Sequence, residues 1–279
     1  ITDSSGNIYV VHDNSLTGFI EINKYSTEGD LINTLNIPVS SNQGLRDIKV
    51  DKYENLYMCG YFQGTINLGS YTFISPTYET GFIAKIGSEL DFIWAKELTT
   101  STESKVYEIG ILEENCIYVT GEFETDINLG PVELTGIGNP DAFIGKFSTS
   151  DGTCLWGESL SGDASTSIFE PSINIDPKGH VLITGSFNGK IKMEEKEINS
   201  FTGSTDIFVI KLLSTGKLIW IKMCGGDSGD RSFDIESDSE ENVYITGSYS
   251  GTAYFSPDSI NSRGGDDIYL TKFDKEGNI

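Results

Sequence analysis

Residues 176–220, DPKGHVLITGSFNGKIKMEEKEINSFTGSTDIFVIKLLSTGKLIW, contain the pattern that decides the fold. The stretch starts with an aspartate turn, continues with a short apolar strand that ends at Gly185, and then turns through a glycine-centred hairpin. A second apolar strand, DIFVIK, and a Ser-Thr-Gly turn lead to the final strand. Short apolar runs between turn signals are typical of β-strands. The stretch therefore predicts a small antiparallel sheet.

The same unit recurs along the chain with a period of about sixty residues. Three markers return with this period: a tryptophan, a glycine after the second strand and a lysine near the end of the third. They are Trp94, Trp156 and Trp220; Gly60, Gly121, Gly185 and Gly247; and Lys24, Lys85, Lys146, Lys211 and Lys272. Because the markers are independent, the repeat is established, with approximate units 1–50, 51–111, 112–175, 176–237 and 238–279.

Each unit predicts four short strands and a decorating hairpin, and no capped amphipathic helix interrupts them. One such sheet cannot bury both of its faces, but stacked sheets can. We therefore predict an all-β fold, a single β-propeller of four-stranded antiparallel blades over residues 1–279. About five blades are visible. They form either a five-bladed ring that closes by pairing its ends or, as we favour, part of a larger ring of six to eight blades.

The repeat resembles the bacterial-type β-propeller repeat called SBBP, which has the pattern D-x-x-G-N-x-Y-x-x-G-x-F-x-G, then D-x-F-x-x-K and G-x-x-x-W. The fourth unit matches at Asp176, Gly179, Gly185, Phe187, Gly189, Asp206, Phe208, Lys211, Gly216 and Trp220. The fifth matches at Asp238, Asn242, Tyr244, Gly247, Tyr249, Gly251, Asp267 and Lys272. The first unit lacks the hairpin, Ile111 replaces the turn aspartate of the third, and His180 replaces the asparagine of the fourth. The resemblance implies the fold and is not specific for function.

Charge limits the classes of partner. The chain has 42 acidic and 19 basic residues, a net charge of −23. Such a surface repels a phosphate backbone and anionic lipid, so we expect neither nucleic acid binding nor membrane insertion. It suits cations and basic proteins. The four cysteines have no zinc-site spacing, and we expect isolated buried thiols.

The sequence offers few candidates for catalytic residues. The two histidines, His12 and His180, lie in different repeats, which makes a serine triad or a histidine zinc site hard to assemble. A pair of carboxylates in the central channel, as in a glycosidase or a lyase, is the alternative enzyme hypothesis. No pair stands out by its spacing.

The acidic segment 224–242 is the candidate cation site, with Asp227, Asp230 and Asp234 as calcium ligands. Calcium takes six to eight oxygen ligands, and a loop of Asp, Ser and Gly offers carboxylate, hydroxyl and carbonyl oxygens. The loop does not fit the EF-hand spacing. The alternative interpretation is a solvated loop between blades, in which Gly225 and Gly226 only turn the chain.

Two further sets of side chains recur. We expect the repeated lysines to be structural, reaching carboxylates of the adjoining blade, with Asp141, Asp206 and Asp267 close to them in the sequence. Tyrosines on or beside the second strand and hairpin are candidates for stacking on sugars or anchoring a protein. They are Tyr57, Tyr61, Tyr71, Tyr78, Tyr249 and Tyr254.

The most consistent prediction is a non-catalytic interaction scaffold that binds a protein or glycan partner. We expect it at an extracellular, cell or particle surface, and further blades of the same polypeptide are among its expected partners. The alternatives are the channel enzyme and a lectin-like glycan binder. A lectin predicts exposed Tyr or Trp at equivalent sites in several blades.

Overall fold

A computed structural model shows an all-β protein in which antiparallel sheets follow one another along the chain. The structure describes residues 1–14, 19–38, 43–111, 115–201 and 203–279. The turn of the third repeat, at 112–114, lies outside these residues. Within the described part of the chain there is no helix that could cross a bilayer.

Twenty-four strands form five groups in chain order. The first group is β1 (Ile8–Asn14), β2 (Phe19–Tyr25) and β3 (Leu31–Pro38). The second is β4 (Gln43–Val50), β5 (Leu56–Leu68), β6 (Tyr71–Ile86) and β7 (Phe92–Thr100). The third is β8 (Ser104–Ile111), β9 (Cys116–Phe123), β10 (Asp126–Asn128), β11 (Glu133–Thr135), β12 (Asp141–Ser148) and β13 (Cys154–Leu160).

The last two groups have the same plan. The fourth is β14 (Ser167–Ile175), β15 (Val181–Asn188), β16 (Lys190–Met193), β17 (Lys196–Asn199), β18 (Asp206–Leu212) and β19 (Leu218–Gly226). The fifth is β20 (Arg231–Ser237), β21 (Val243–Tyr249), β22 (Thr252–Phe255), β23 (Asp258–Asn261) and β24 (Asp267–Phe273).

The second, third and fourth groups each contain a four-stranded antiparallel sheet, in the orders β4-β5-β6-β7, β8-β9-β12-β13 and β14-β15-β18-β19. The first and fifth sheets contain three strands each, β1-β2-β3 and β20-β21-β24. The first strands of the last four sheets, β4, β8, β14 and β20, contact one another in sequence. This is the arrangement of propeller blades around an axis, and the predicted all-β propeller fold is confirmed.

The sequence repeats and the sheets are out of phase by one strand. Each complete repeat supplies three strands to one sheet and the innermost strand to the next. Residues 51–111, for example, supply β5, β6 and β7 to the second blade and β8 to the third. Consecutive blades are therefore joined covalently through the innermost strands.

The hydrophobic core lies between the blades. Ile207 and Val209 of the fourth blade pack against Ile235, Val243 and Ile245 of the fifth, and all five are almost completely buried. Similar clusters fill the other junctions between consecutive blades. Burying each such side chain stabilises the fold by about 1.5–3 kcal/mol, so the blades are stable only as a stack.

The three tryptophans link each blade to the next. The Nε1–H groups donate to turn carbonyls of the following blade: Trp94 to Thr149 at 3.0 Å, Trp156 to Ser214 at 3.1 Å and Trp220 to Lys275 at 3.1 Å. Lys85 and Lys146 donate to the first two of these carbonyls, at 3.1 and 3.2 Å. The spacing of the tryptophans thus reflects one repeated contact between blades.

The repeated lysines differ from expectation in their partners. Lys24 Nζ lies 3.5 Å from Glu54 of the next blade, as expected, but Asp141, Asp206 and Asp267 are not lysine partners. These aspartates begin β12, β18 and β24, at the opposite end of the strand from the lysine. Their Oδ2 atoms accept hydrogen bonds from loop N–H groups: Gly138 at 2.8 Å, Phe201 at 2.7 Å and Arg263 at 2.6 Å.

Two decorating hairpins, β10–β11 and β22–β23, extend the preceding blade. Strand β10 pairs with β7 through Ile127 and Thr100, and β22 pairs with β19 through Tyr254 and Gly225. Each hairpin therefore lies across a junction between blades. The four cysteines are buried and unbonded, as the sequence predicted.

Candidate functional site

The innermost strands β4, β8, β14 and β20 each contain a β-bulge at an equivalent position. The extra residues are Arg46, Tyr107, the pair Glu170–Pro171, and Phe233. A bulge leaves its extra residue outside the ladder and redirects the side chain. The four bulges therefore separate these side chains from the regular pattern of their strands.

The glycine marker of the repeat explains why the bulges form. Gly60, Gly121 and Gly247 pair with the residue just before the bulges of β4, β8 and β20. Gly185 lies opposite the bulge of β14. A Cβ on Gly60 would overlap the carbonyl oxygen of Gly44, and one on Gly247 would overlap that of Arg231. Only glycine lets the bulged strand approach this closely.

The bulged side chains share one cavity of about 280 Å³ on the channel side of the inner strands. Arg46, Glu170 and Phe233 are exposed, and Phe233 is 54% exposed despite being a large apolar residue. A second cavity, of about 400 Å³, adjoins Tyr107 and Glu170 and is also lined by Phe169 and Arg231. The channel surface thus combines aromatic rings with both signs of charge.

Arg46 and Tyr107 are held in place by aromatic and charged neighbours. The Arg46 guanidinium lies 5.2 Å from the Tyr61 ring centre and 5.1 Å from that of Tyr107. The Tyr107 hydroxyl donates to Glu122 Oε1 at 2.6 Å. Burial raises the pKa of Glu122, although Tyr107 and Lys105 oppose that shift. These contacts order the two side chains before any partner binds.

The channel carboxylates mostly bind protein backbone. Asp47 Oδ2 accepts from Ile109 N of the next blade at 3.0 Å. Glu108 Oε2 accepts from Ile173 N at 2.9 Å and from Ser172 Oγ at 2.6 Å. Burial raises the pKa of Glu108, and these donors only partly offset it. Asp47 and Glu108 therefore join adjacent inner strands.

The predicted calcium ligands do not converge as a trio. Asp234 lies on β20 and its Oδ1 accepts from its neighbour Ile235 N at 2.9 Å, whereas Asp227 and Asp230 lie in the loop between β19 and β20. In the described part of the chain, no group of three ligand atoms within 4.8 Å contains these residues. Asp230 instead faces Asp206 across Gly225. Calcium binding stays a prediction.

One set of three potential metal ligands does converge among the described residues: Asp176, His180 and Glu241. Lys211 Nζ lies 2.9 Å from Asp176 Oδ2 and 4.0 Å from Glu241 Oε2. The ammonium therefore already supplies a cation at this position. The cluster is an ion-pair network between the fourth and fifth blades, and we assign no metal to it.

The aromatic candidates divide by exposure. Tyr57 and Tyr249 are buried, Tyr61 and Tyr71 are partly buried, and Tyr78 and Tyr254 are exposed. Tyr254 stacks on Phe201, with ring centres 5.7 Å apart. None of the tryptophans is exposed. The repeated aromatic residues thus serve the blade junctions, and sequence reasoning missed the bulged positions. The sequence feature that could have revealed these positions is a residue in the inner strand, opposite each marker glycine, that interrupts the apolar alternation.

The stacked antiparallel blades define a β-propeller repeat protein. No known protein-family profile matches the chain. The chain is similar to Uncharacterized WD repeat-containing protein L264 of Acanthamoeba polyphaga mimivirus, with 24% identity in an alignment that covers 91% of this chain. That alignment covers 23% of the relative, so the chain spans less than a quarter of its length. The similarity agrees with the propeller fold.

Proposed function

We propose that the chain is a non-catalytic β-propeller scaffold that binds a protein partner on its channel surface. The observation that carries this proposal is the set of four bulges, which present Arg46, Tyr107, Glu170 and Phe233 to one cavity. Arginine and aromatic side chains are enriched among the residues that dominate protein-binding energies. Phe233 is the expected apolar anchor.

The variation among the bulged side chains supports recognition over a structural role. Structural positions keep their residue type from blade to blade, as the tryptophans and lysines do. The bulges instead carry a cation, a phenol, an anion and a phenyl ring on equivalent backbone. Because the four groups differ, a bound segment can contact all of them in only one orientation. This suits a single partner segment.

The charge of the chain favours a basic partner segment with an apolar residue. A net charge of −23 accelerates the approach of such a segment, and the cavity can take the apolar residue beside Phe233. We also propose that the protein lies at an extracellular, cell or particle surface. We propose further that its repeat is of the SBBP type. A glycan partner is disfavoured because, among the residues that the structure describes, exposed aromatic side chains do not recur at the same position in several blades.

A further blade is the proposed partner of the fifth blade. Ile268 and Leu270 on β24 are 84% and 73% exposed. The equivalent Ile207 and Val209 of the fourth blade are 0% exposed because the fifth blade covers them. A sheet of the same repeat type would bury the exposed pair in the same way.

The test is selection of a random peptide display library on the immobilised protein, followed by affinity measurement with synthetic peptides. We expect basic peptides with an aromatic or aliphatic residue to be enriched. Phe233→Ala should weaken their binding at least about tenfold, or about 1.4 kcal/mol, because it removes the anchor.

Tyr254→Ala is the matched control, because it removes an exposed aromatic side chain from the outer hairpin. It should leave peptide affinity unchanged. Equal binding by the wild type and Phe233→Ala, with both variants folded, would refute the channel surface as the binding site.

A further inference from the structure

A buried polar residue stands at the start of two innermost strands, β8 and β20. At β8 it is Ser104, whose Oγ donates to Leu98 O at 3.1 Å, whereas the register equivalent on β14 is the buried Ile168. Between the fourth and fifth blades this residue is Asp230. A neutral group that satisfies backbone is thus replaced by a carboxylate.

Asp230 meets a second carboxylate across the junction. Asp206, at the start of β18, is the counterpart of Asp141 in the third blade. At the Asp141 junction the register equivalent of Asp230 is Ile168, so only one carboxylate is present there. The junction of the fourth and fifth blades brings Asp206 and Asp230 together, and both residues are 0% exposed.

One oxygen of each buried carboxylate is engaged and the other is not. Asp206 Oδ2 accepts from Phe201 N at 2.7 Å, and Asp230 Oδ1 accepts from Ser250 N at 3.2 Å. Asp206 Oδ1 and Asp230 Oδ2 have no hydrogen bond of good geometry among the described residues, although the Gly226 N–H is close enough to lower both pKa values. Both border Gly225, where an added Cβ would overlap Asp206 Oδ1 and lie 3.0 Å from Asp230 Oδ2.

The electrostatic surroundings add negative charge to this pair. Burial raises the pKa of Asp230 to about 6, and the charges of Asp206 and Asp266 contribute. Burial also raises the pKa of Asp206, with Asp227 adding to the effect. Two buried carboxylates are costly at neutral pH unless a positive charge neutralises them.

We infer that Asp206 and Asp230 bind a hard divalent cation, best matched by Ca²⁺, through their unpaired oxygens at the junction of the fourth and fifth blades. An all-oxygen donor set favours Ca²⁺ over transition metals, and Ca²⁺ accepts irregular geometry. This site shares Asp230 with the three ligands predicted from the sequence. Asp206 takes the place of Asp227 and Asp234. Because the loop of Asp230 leads directly into β20, the bound ion would stabilise the strand that carries Phe233.

The test is thermal unfolding and calorimetric titration with CaCl₂ at neutral pH after removal of metal with EDTA. We expect Ca²⁺ to raise the melting temperature of the wild type. Asp230→Thr, which puts a hydroxyl in place of the carboxylate, should bind Ca²⁺ at least about tenfold more weakly by losing a charged ligand. Asp206→Asn is a second variant of nearly unchanged size and should show the same loss.

Asp141→Asn is the matched control for the loss of one buried negative charge. Asp141 also has an unpaired Oδ1, but no second carboxylate faces it, so this variant should retain the calcium affinity of the wild type. Tb³⁺ luminescence sensitised by tyrosine, with Tyr269 beside the site, gives an independent readout. Identical melting of the wild type in Ca²⁺ and EDTA, or equal affinity of Asp230→Thr and wild type, would overturn the inference.

Discussion

The turn aspartate that begins every repeat but the third shows how one residue adapts to its neighbours. Asp51 Oδ2 accepts from the Asn55 side chain at 2.9 Å and the Tyr57 hydroxyl at 3.1 Å, while Lys85 lies over the Tyr57 ring. In the fourth repeat Leu182 replaces the tyrosine, and Lys211 contacts Asp176 directly. Where the aromatic ring and its hydroxyl are missing, a buried ion pair therefore takes the place of the cation–π contact.

Lys211→Met tests the importance of this ion pair. The side chains are 2% and 0% exposed, so removal of the ammonium leaves a buried carboxylate without its cation. We expect a loss of about 3–5 kcal/mol in the free energy of unfolding at neutral pH, measured by urea denaturation. Lys146→Met, which removes a bond to the Ser214 carbonyl, should cost less.

The pH dependence follows from the pKa of Asp176. Burial raises this pKa, but the hydrogen bonds from Lys211 and His180 outweigh burial, and the net value lies below 3.8. A lowered pKa adds stability above the unfolded-state pKa, and that stability is lost as the pH falls through the folded-state value. The deficit of Lys211→Met should therefore shrink as the pH falls below about 4. A deficit that does not change with pH would contradict the ion pair as its cause.

Among the elements, the bulged inner strand depends on the glycine of its neighbour. Gly60→Ala places a methyl group against the Gly44 carbonyl, so β4 must move away or lose its bulge. We expect a loss of about 1–3 kcal/mol in the free energy of unfolding, with a weakened peptide affinity because Arg46 is displaced. Gly265→Ala is the control, since no atom lies within 4 Å of its added Cβ, and equal losses in both variants would argue against the bulge.

At the scale of the whole molecule, the fifth blade carries an apolar face that the other junctions bury. Combining Ile268→Ser with Leu270→Ser should change the free energy of unfolding by less than about 0.5 kcal/mol per site, because both side chains are exposed. It should also reduce self-association in sedimentation velocity. The same changes at Ile207 and Val209 should cost about 2 kcal/mol or more per site. Equal destabilisation by both pairs would show that β24 is already covered.

Sequence reasoning reached the fold because strand patterns, turns and marker residues are local signals. It failed at the lysine partners because Asp141, Asp206 and Asp267 are close to the lysines in sequence but lie at the other end of the strand. It also missed Arg46 and Phe233, since a bulge is defined by pairing with a neighbouring strand. The predicted trio contained Asp230 but not Asp206, which belongs to the blade before it.

The repeat of tryptophan, lysine and glycine by itself determined an all-β propeller of stacked antiparallel blades, because each marker serves a contact that recurs from blade to blade. Only the tertiary structure decided which side chains meet between blades. It placed four unlike residues around one cavity and two buried carboxylates across Gly225. Strand periodicity specifies which residues face inward along one chain segment, whereas the register and spacing of separate sheets specify their neighbours. The candidate sites arise where those sheets meet.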